Sequence, residues 1–101
     1  LQVVPGDFIV TKPRVSIFYN TNLDSLLRAQ RIESVILTGV STDMAIESAV
    51  REAHDRDYQV YVLSDCCAAT TPVAHTQTLS GAVSHLSSVL TLAQLKEQYR
   101  R

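Results

Sequence analysis

A parallel α/β sandwich is the fold class this sequence predicts, and three observations predict it. Two short apolar runs, "SVILTGV" at Ser34–Val40 and "QVYVLS" at Gln59–Ser64, have the length of strands buried on both faces. A segment of helical period lies between them. The connections are only a few residues long, which suits right-handed βαβ units and a parallel sheet.

Phe8-Ile9-Val10 follows the turn residues Pro5-Gly6-Asp7 and reads as a short strand ending at Lys12-Pro13. Leu23, Leu26 and Leu27 place a helix over Leu23 to Gln30, with Thr21-Asn22 as its cap. After the strand Ser34–Val40 comes a helix from about Thr42 to Asp57. Ile46, Ala49, Val50 and Ala53 form its apolar face, and Glu47, Arg51, Glu52 and Asp55 lie away from it. Ser41, Thr42 and Asp43 stand at its mouth, where their side-chain oxygens are expected to take its first amides. The strand Gln59–Ser64 follows. Val73 to Leu86 is helical by pattern with Pro72 at its opening, Ser88 to Leu92 is a last strand, and Leu92 to Arg101 a terminal helix.

Ligands of such Rossmann-like sheets bind beyond the carboxyl ends of the strands. Lys12, the Gly39–Asp43 corner and Asp65-Cys66-Cys67 are therefore expected at one edge. The corner suits an anion or oxyanion, because amides at a helix amino terminus point the same way. Met44 and Ala45, which follow it, carry no acid, base or nucleophile.

The 101 residues make one domain, 1–101, and 46% hydrophobic against 19% charged residues is ordinary for a globular chain. Nine basic and ten acidic side chains give a charge of −1, which offers no footprint for nucleic acid or an acidic membrane surface. No apolar run approaches the roughly twenty residues that span a bilayer. Gly39 stands alone, without a dinucleotide fingerprint or phosphate loop. Cys66 and Cys67 are adjacent and make no disulfide framework, so a reducing, cytoplasmic setting is expected. Both read as small buried hydrophobes rather than nucleophiles. Asp65 reads as an acceptor for a neighbouring loop, and His54, His75 and His85 are too scattered for a metal site.

The stretch "VTKPRVSIFYNTNLDSLLRAQRIESVILTGVSTDMAIESAVREAHDRDYQVYVLSDCCAA", with His75 beyond it, resembles the isochorismatase-like superfamily of cysteine hydrolases, which includes nicotinamidases. The resemblance runs from about Pro5 to Leu95. It implies a three-layer sandwich of which this chain is the carboxyl-terminal portion, lacking the first strand and helix. By position, Lys12 corresponds to the catalytic lysine and Ala45 to the nucleophilic cysteine. The amides of Ser41 and Ala45 correspond to the oxyanion hole, and the Val40–Ser41 peptide to the family's cis bond. The catalytic aspartate and the metal-binding residues of nicotinamidases fall upstream of everything present. Isochorismatases proper also lack the cysteine, but they carry a histidine two positions before it, where this sequence has Asp43.

The resemblance therefore implies a hydrolase of a small amide, imide or vinyl ether, without a cofactor or metal, in a homo-oligomer, with this chain inactive alone. The alternative is a pseudoenzyme, a binding or assembly module on the same fold. An edge strand left open by a missing neighbour favours assembly.

Overall fold

A computed structural model describes residues 2–99. Three parallel strands, β1 (Ser34–Val40), β2 (Gln59–Ala68) and β3 (Ser88–Leu90), lie in the order β1-β2-β3. The helices are α1 (Leu23–Ala29), α2 (Glu47–Asp55), α3 (Pro72–Ser80), α4 (Ala82–Leu86) and α5 (Leu92–Gln98). A π-helical turn, Thr42–Ile46, joins β1 to α2. This is the expected parallel α/β arrangement.

The core is where the apolar face of α2 meets the sheet. Val50 and Ala53 of α2, Val60 and Val62 of β2, and Val83 of α4 are buried together with Ile46, Phe18 and Tyr58. Burying each such aliphatic side chain stabilises the fold by about 1.5–3 kcal/mol relative to exposing it. Leu23 and Leu27 of α1 pack on this cluster without being fully buried. A polar clasp holds α1 in place. Tyr58 Oη donates to Asp24 Oδ1 at 2.6 Å, Arg56 reaches Asp24 Oδ2 at 3.4 Å, and the Arg28 guanidinium lies 4.3 Å from the Tyr58 ring centre.

The ladder between β1 and β2 changes register midway. Leu37 pairs with Val62, but Gly39 pairs with Cys67, so residues 63–66 of β2 swing away from β1. Leu63 meets Leu90 of β3 there. Gly39 has φ +128°, a conformation that side chains rarely adopt, although a Cβ would meet nothing within 4 Å.

Several elements differ from the sequence expectation, each for a local reason. Phe8-Ile9-Val10 is not a strand: among the described residues no neighbour pairs with it, and Phe8 and Ile9 are 62% and 76% exposed. The helix expected from Thr42 opens as the π turn and ends at Asp55, where Asp57 turns the chain at φ +68°. The helix expected over Val73–Leu86 is two helices divided at Gly81, whose ψ of −130° leaves the helical region. Strand β2 runs on through its polar residues to Ala68, because Cys67 and Ala68 rejoin the ladder with Gly39 and Val40. β3 stops at Leu90, since Thr91 is the cap of α5. The expected terminal helix reaches Gln98, and Arg100 and Arg101 lie outside the described residues.

Candidate functional site

The corner after β1 is built by backbone atoms. The Val40–Ser41 peptide is cis, as the resemblance implies. Ser41 is extended, and its carbonyl accepts from the amides of Met44 at 3.2 Å and Ile46 at 3.1 Å. The expectation that Ser41, Thr42 and Asp43 cap the helix with side-chain oxygens does not hold. Ser41 Oγ instead donates to Asp43 Oδ1 at 2.8 Å, and Thr42 Oγ1 pairs with His75 Nδ1 at 2.7 Å. Because the turn is closed by backbone carbonyls, Ser41 and Asp43 pair with each other and Thr42 with His75.

Ala45, the fourth residue of the turn, is half-buried and lines a cleft of about 240 Å³. Lys12 lines the same cleft from the opposite loop, with Val40 and Thr38 from β1 and apolar walls from Leu37 and Ile46. Lys12 is exposed, and its Nζ donates to the Val15 carbonyl at 2.7 Å, so the ammonium is held by its own loop. That loop is compact. Arg14 donates to the Pro13 carbonyl at 2.8 Å, Ser16 Oγ accepts from the Phe18 amide at 3.2 Å, and Phe18 anchors the segment in the core. Arg14 and Ser16 thus shape the Lys12 loop.

Of the three strand ends expected together, only Lys12 and the Ser41–Ala45 corner share a cleft. Asp65 lies inside β2, in the stretch that leaves β1, and its Oδ1 accepts from the Leu92 amide at 2.9 Å. It is an acceptor for the α5 entry, away from Lys12. Cys67 stands opposite Gly39 and lines a separate cleft of about 280 Å³ with His75 and Thr71. Burial pushes the Cys67 thiol above its ordinary pKa against the lowering effect of a hydrogen bond at Gly39, and the charges of Cys66 and Asp65 add smaller upward contributions. Cys66 contacts Asp65 at 3.8 Å. His54 is exposed beside Asp55.

No three His, Cys, Asp or Glu side chains among the described residues are grouped to hold a metal ion. The contact missed from sequence is Thr42 with His75. A polar residue inside an apolar period was the available signal, but it does not name a partner in a later helix.

The chemistry this arrangement offers is electrostatic. A cationic side chain faces a turn whose amides lie at the positive end of a helical segment, across a small, partly apolar space. A polarised carbonyl oxygen or an anion fits it. The Ala45 methyl group at the centre has no lone pair to attack with.

The isochorismatase domain matches residues 1–94 of the chain. The chain is 48% identical over 61 residues to a ureidoacrylate amidohydrolase RutB of Methylorubrum extorquens, covering 60% of this chain and 25% of that protein. It is 37% identical over 91 residues to the ureidoacrylate amidohydrolase RutB of Methylobacterium radiotolerans, covering 83% of this chain and 35% of that protein. The crystal structure of an isochorismatase-like hydrolase from Alkaliphilus metalliredigens superposes with a TM-score of 0.94 at 33% identity, over 98% of this chain and 55% of that one. The chain thus spans about a quarter to a third of these curated relatives and about half of that structure. With the cis corner, the parallel sheet and a match over nearly its whole length, this chain belongs to the isochorismatase domain family.

Proposed function

We propose that this chain forms the carbonyl-binding part of a family hydrolase site for a small amide, imide or vinyl ether, and that it binds such a molecule without cleaving it. The observation that carries this reading is Ala45, set between Lys12 and the cis Val40–Ser41 corner in one cleft. In this reading the substrate carbonyl oxygen lies against the amides of Ser41 and Ala45, which would take the negative charge of a tetrahedral adduct. Lys12 orients and stabilises the same charge. A nucleophile at position 45 would gain thiolate character from both, and Ala45 leaves the binding step without the covalent one.

The relatives named ureidoacrylate amidohydrolase support an open-chain ureido acid as the first probe. Calorimetric titration with ureidoacrylate is expected to saturate with the wild-type protein and to weaken at least tenfold in Lys12→Ala, a loss of about 1.4 kcal/mol or more. Ala45→Cys in a full-length protein, with the family's catalytic aspartate present, is expected to release ammonia from at least one member of an amide panel. Absence of both binding and ammonia release overturns the reading.

A second reading is favoured by the edge of β1. Among the described residues this strand pairs only with β2, and Ile36 and Val40 are 46% and 74% exposed. Such an edge suits assembly with another strand, as in a homo-oligomer. Sedimentation that finds a stable monomer at all concentrations overturns it.

A further inference from the structure

Among the described residues Thr42 is the buried polar one, with none of its surface exposed. Its hydroxyl has a partner from outside its own element, His75 Nδ1 at 2.7 Å. The two residues join parts of the chain far apart in sequence. Thr42 opens the turn that carries Ala45, and His75 lies in the first turns of α3. The backbone around His75 is itself fixed. The Thr71 hydroxyl accepts from the Ala74 amide at 3.1 Å, and the Thr71 carbonyl accepts from the His75 amide at 3.1 Å. A continuous chain of bonds therefore runs from the α3 cap through His75 and Thr42 to the turn.

His75 does not line the Lys12–Ala45 cleft. It lines a different one, with Cys67. Any effect it has on the corner passes through Thr42. We propose that His75 is a positioning residue for the Ser41–Ala45 turn, acting through the Thr42 hydroxyl. The inference rests on the reading of Ala45 as the nucleophile position. Its physical basis is the cost of a buried hydroxyl without a partner. The turn is closed by the Ser41 carbonyl, which takes the Met44 and Ile46 amides, and by the Thr42 and Met44 carbonyls, which take the Glu47 amide, so a shift of Thr42 is felt along the whole of it. If the bond to His75 is lost, Thr42 regains a partner by moving toward water, and the amides that follow it lose their common direction.

The test uses the Ala45→Cys protein and needs no substrate. The alkylation rate of the introduced thiol by iodoacetamide at neutral pH is measured by peptide mass mapping, which separates it from Cys66 and Cys67. Aligned amides and Lys12 favour the thiolate, so the rate reports the geometry of the turn. His75→Ala and Thr42→Val are each expected to slow it about three- to tenfold, the effect of one hydrogen bond. The two together are expected to slow it no further, because they break the same bond. His75→Asn, whose amide can reach the hydroxyl, is expected to recover most of the rate. Multiplying effects in the double variant, no effect of His75→Ala, or no recovery in His75→Asn overturns the proposal. If His75→Ala does not fold, His75→Gln carries the same expectation against His75→Asn, since its longer chain displaces the amide from Thr42. Failure of the amide panel counts against the proposed function alone, because alkylation proceeds without any substrate.

Discussion

Asp57 turns the chain out of α2 at φ +68°, while its amide donates to His54 and the Tyr58 amide to Ala53. This is the pattern with which helices close through a left-handed residue, most often glycine. Aspartate tolerates that conformation better than most side chains but still less well than glycine. Asp57→Gly is expected to raise stability by about 0.5–1 kcal/mol, read as a higher urea midpoint with an unchanged slope; a lower midpoint refutes it. The neighbouring thiols offer a second residue-scale contrast. Burial raises the Cys67 pKa, and the thiolate is the reactive form. Iodoacetamide is expected to label Cys66 several-fold faster than Cys67 near neutral pH. The Cys67 rate should keep climbing into more alkaline solution. Equal rates in peptide maps would contradict this.

Elements became legible wherever a single face decided their period. The apolar face of α2 is such a case; the run Ser34–Val40 is a strand as expected, but its residues alternate between exposed and half-buried instead of being buried on both faces. The three residues Phe8-Ile9-Val10 have the same β-branched and aromatic character but no strand beside them, and strand propensity has little force without a ladder. Ser64 and Asp65 look like the end of β2, because polar residues usually mark a boundary. There they serve the opposite purpose: Asp65 binds the Leu92 amide and so places α5 while the strand continues. The start of α5 is a full capping box, with Thr91 Oγ1 accepting from the Gln94 amide and Gln94 Oε1 from the Thr91 amide. Thr91→Ala is expected to cost about 1 kcal/mol, measured by denaturant unfolding. A change below a few tenths would show that α5 is held by Asp65 instead.

Across the whole molecule, the site was legible as a list of residues and only partly as a geometry. The family resemblance put Lys12 and Ala45 on the same list, but that the two share a cleft depends on Phe18 anchoring the Lys12 loop to the core. The Thr42–His75 bond and the departure of Asp65 from the cleft depend on register and packing, which no local pattern encodes. The clasp around Tyr58 acts at this scale too, since it ties α1 to the end of α2 and to the Phe18 loop. Burial, then the hydrogen bond and charge of Asp24, raise the Tyr58 pKa above its ordinary value, against the opposing pull of Arg28 and Arg56. The unfolded chain gives up this proton first as pH rises. The contribution to stability is therefore complete below about pH 10 and is lost as pH climbs through the folded pKa. Tyr58→Phe is expected to cost about 1 kcal/mol near neutrality and to flatten the alkaline fall in denaturant midpoint. An unaltered fall in that variant assigns it to other groups.

The change of register between β1 and β2 imposes a constraint of counting. Residues 63–66 are the slack that lets one strand serve β3 midway and return to β1 at Cys67. A substitution in that slack alters one side chain. A one-residue deletion turns Cys67 and Ala68 over together, because neighbours on a strand face opposite sides. Both residues line the His75 cleft, so its wall would change with them. A change of length along this stretch is thus felt beyond it, whereas a change of letter acts where it falls, as on buried Leu63 or on the Asp65 bond to Leu92.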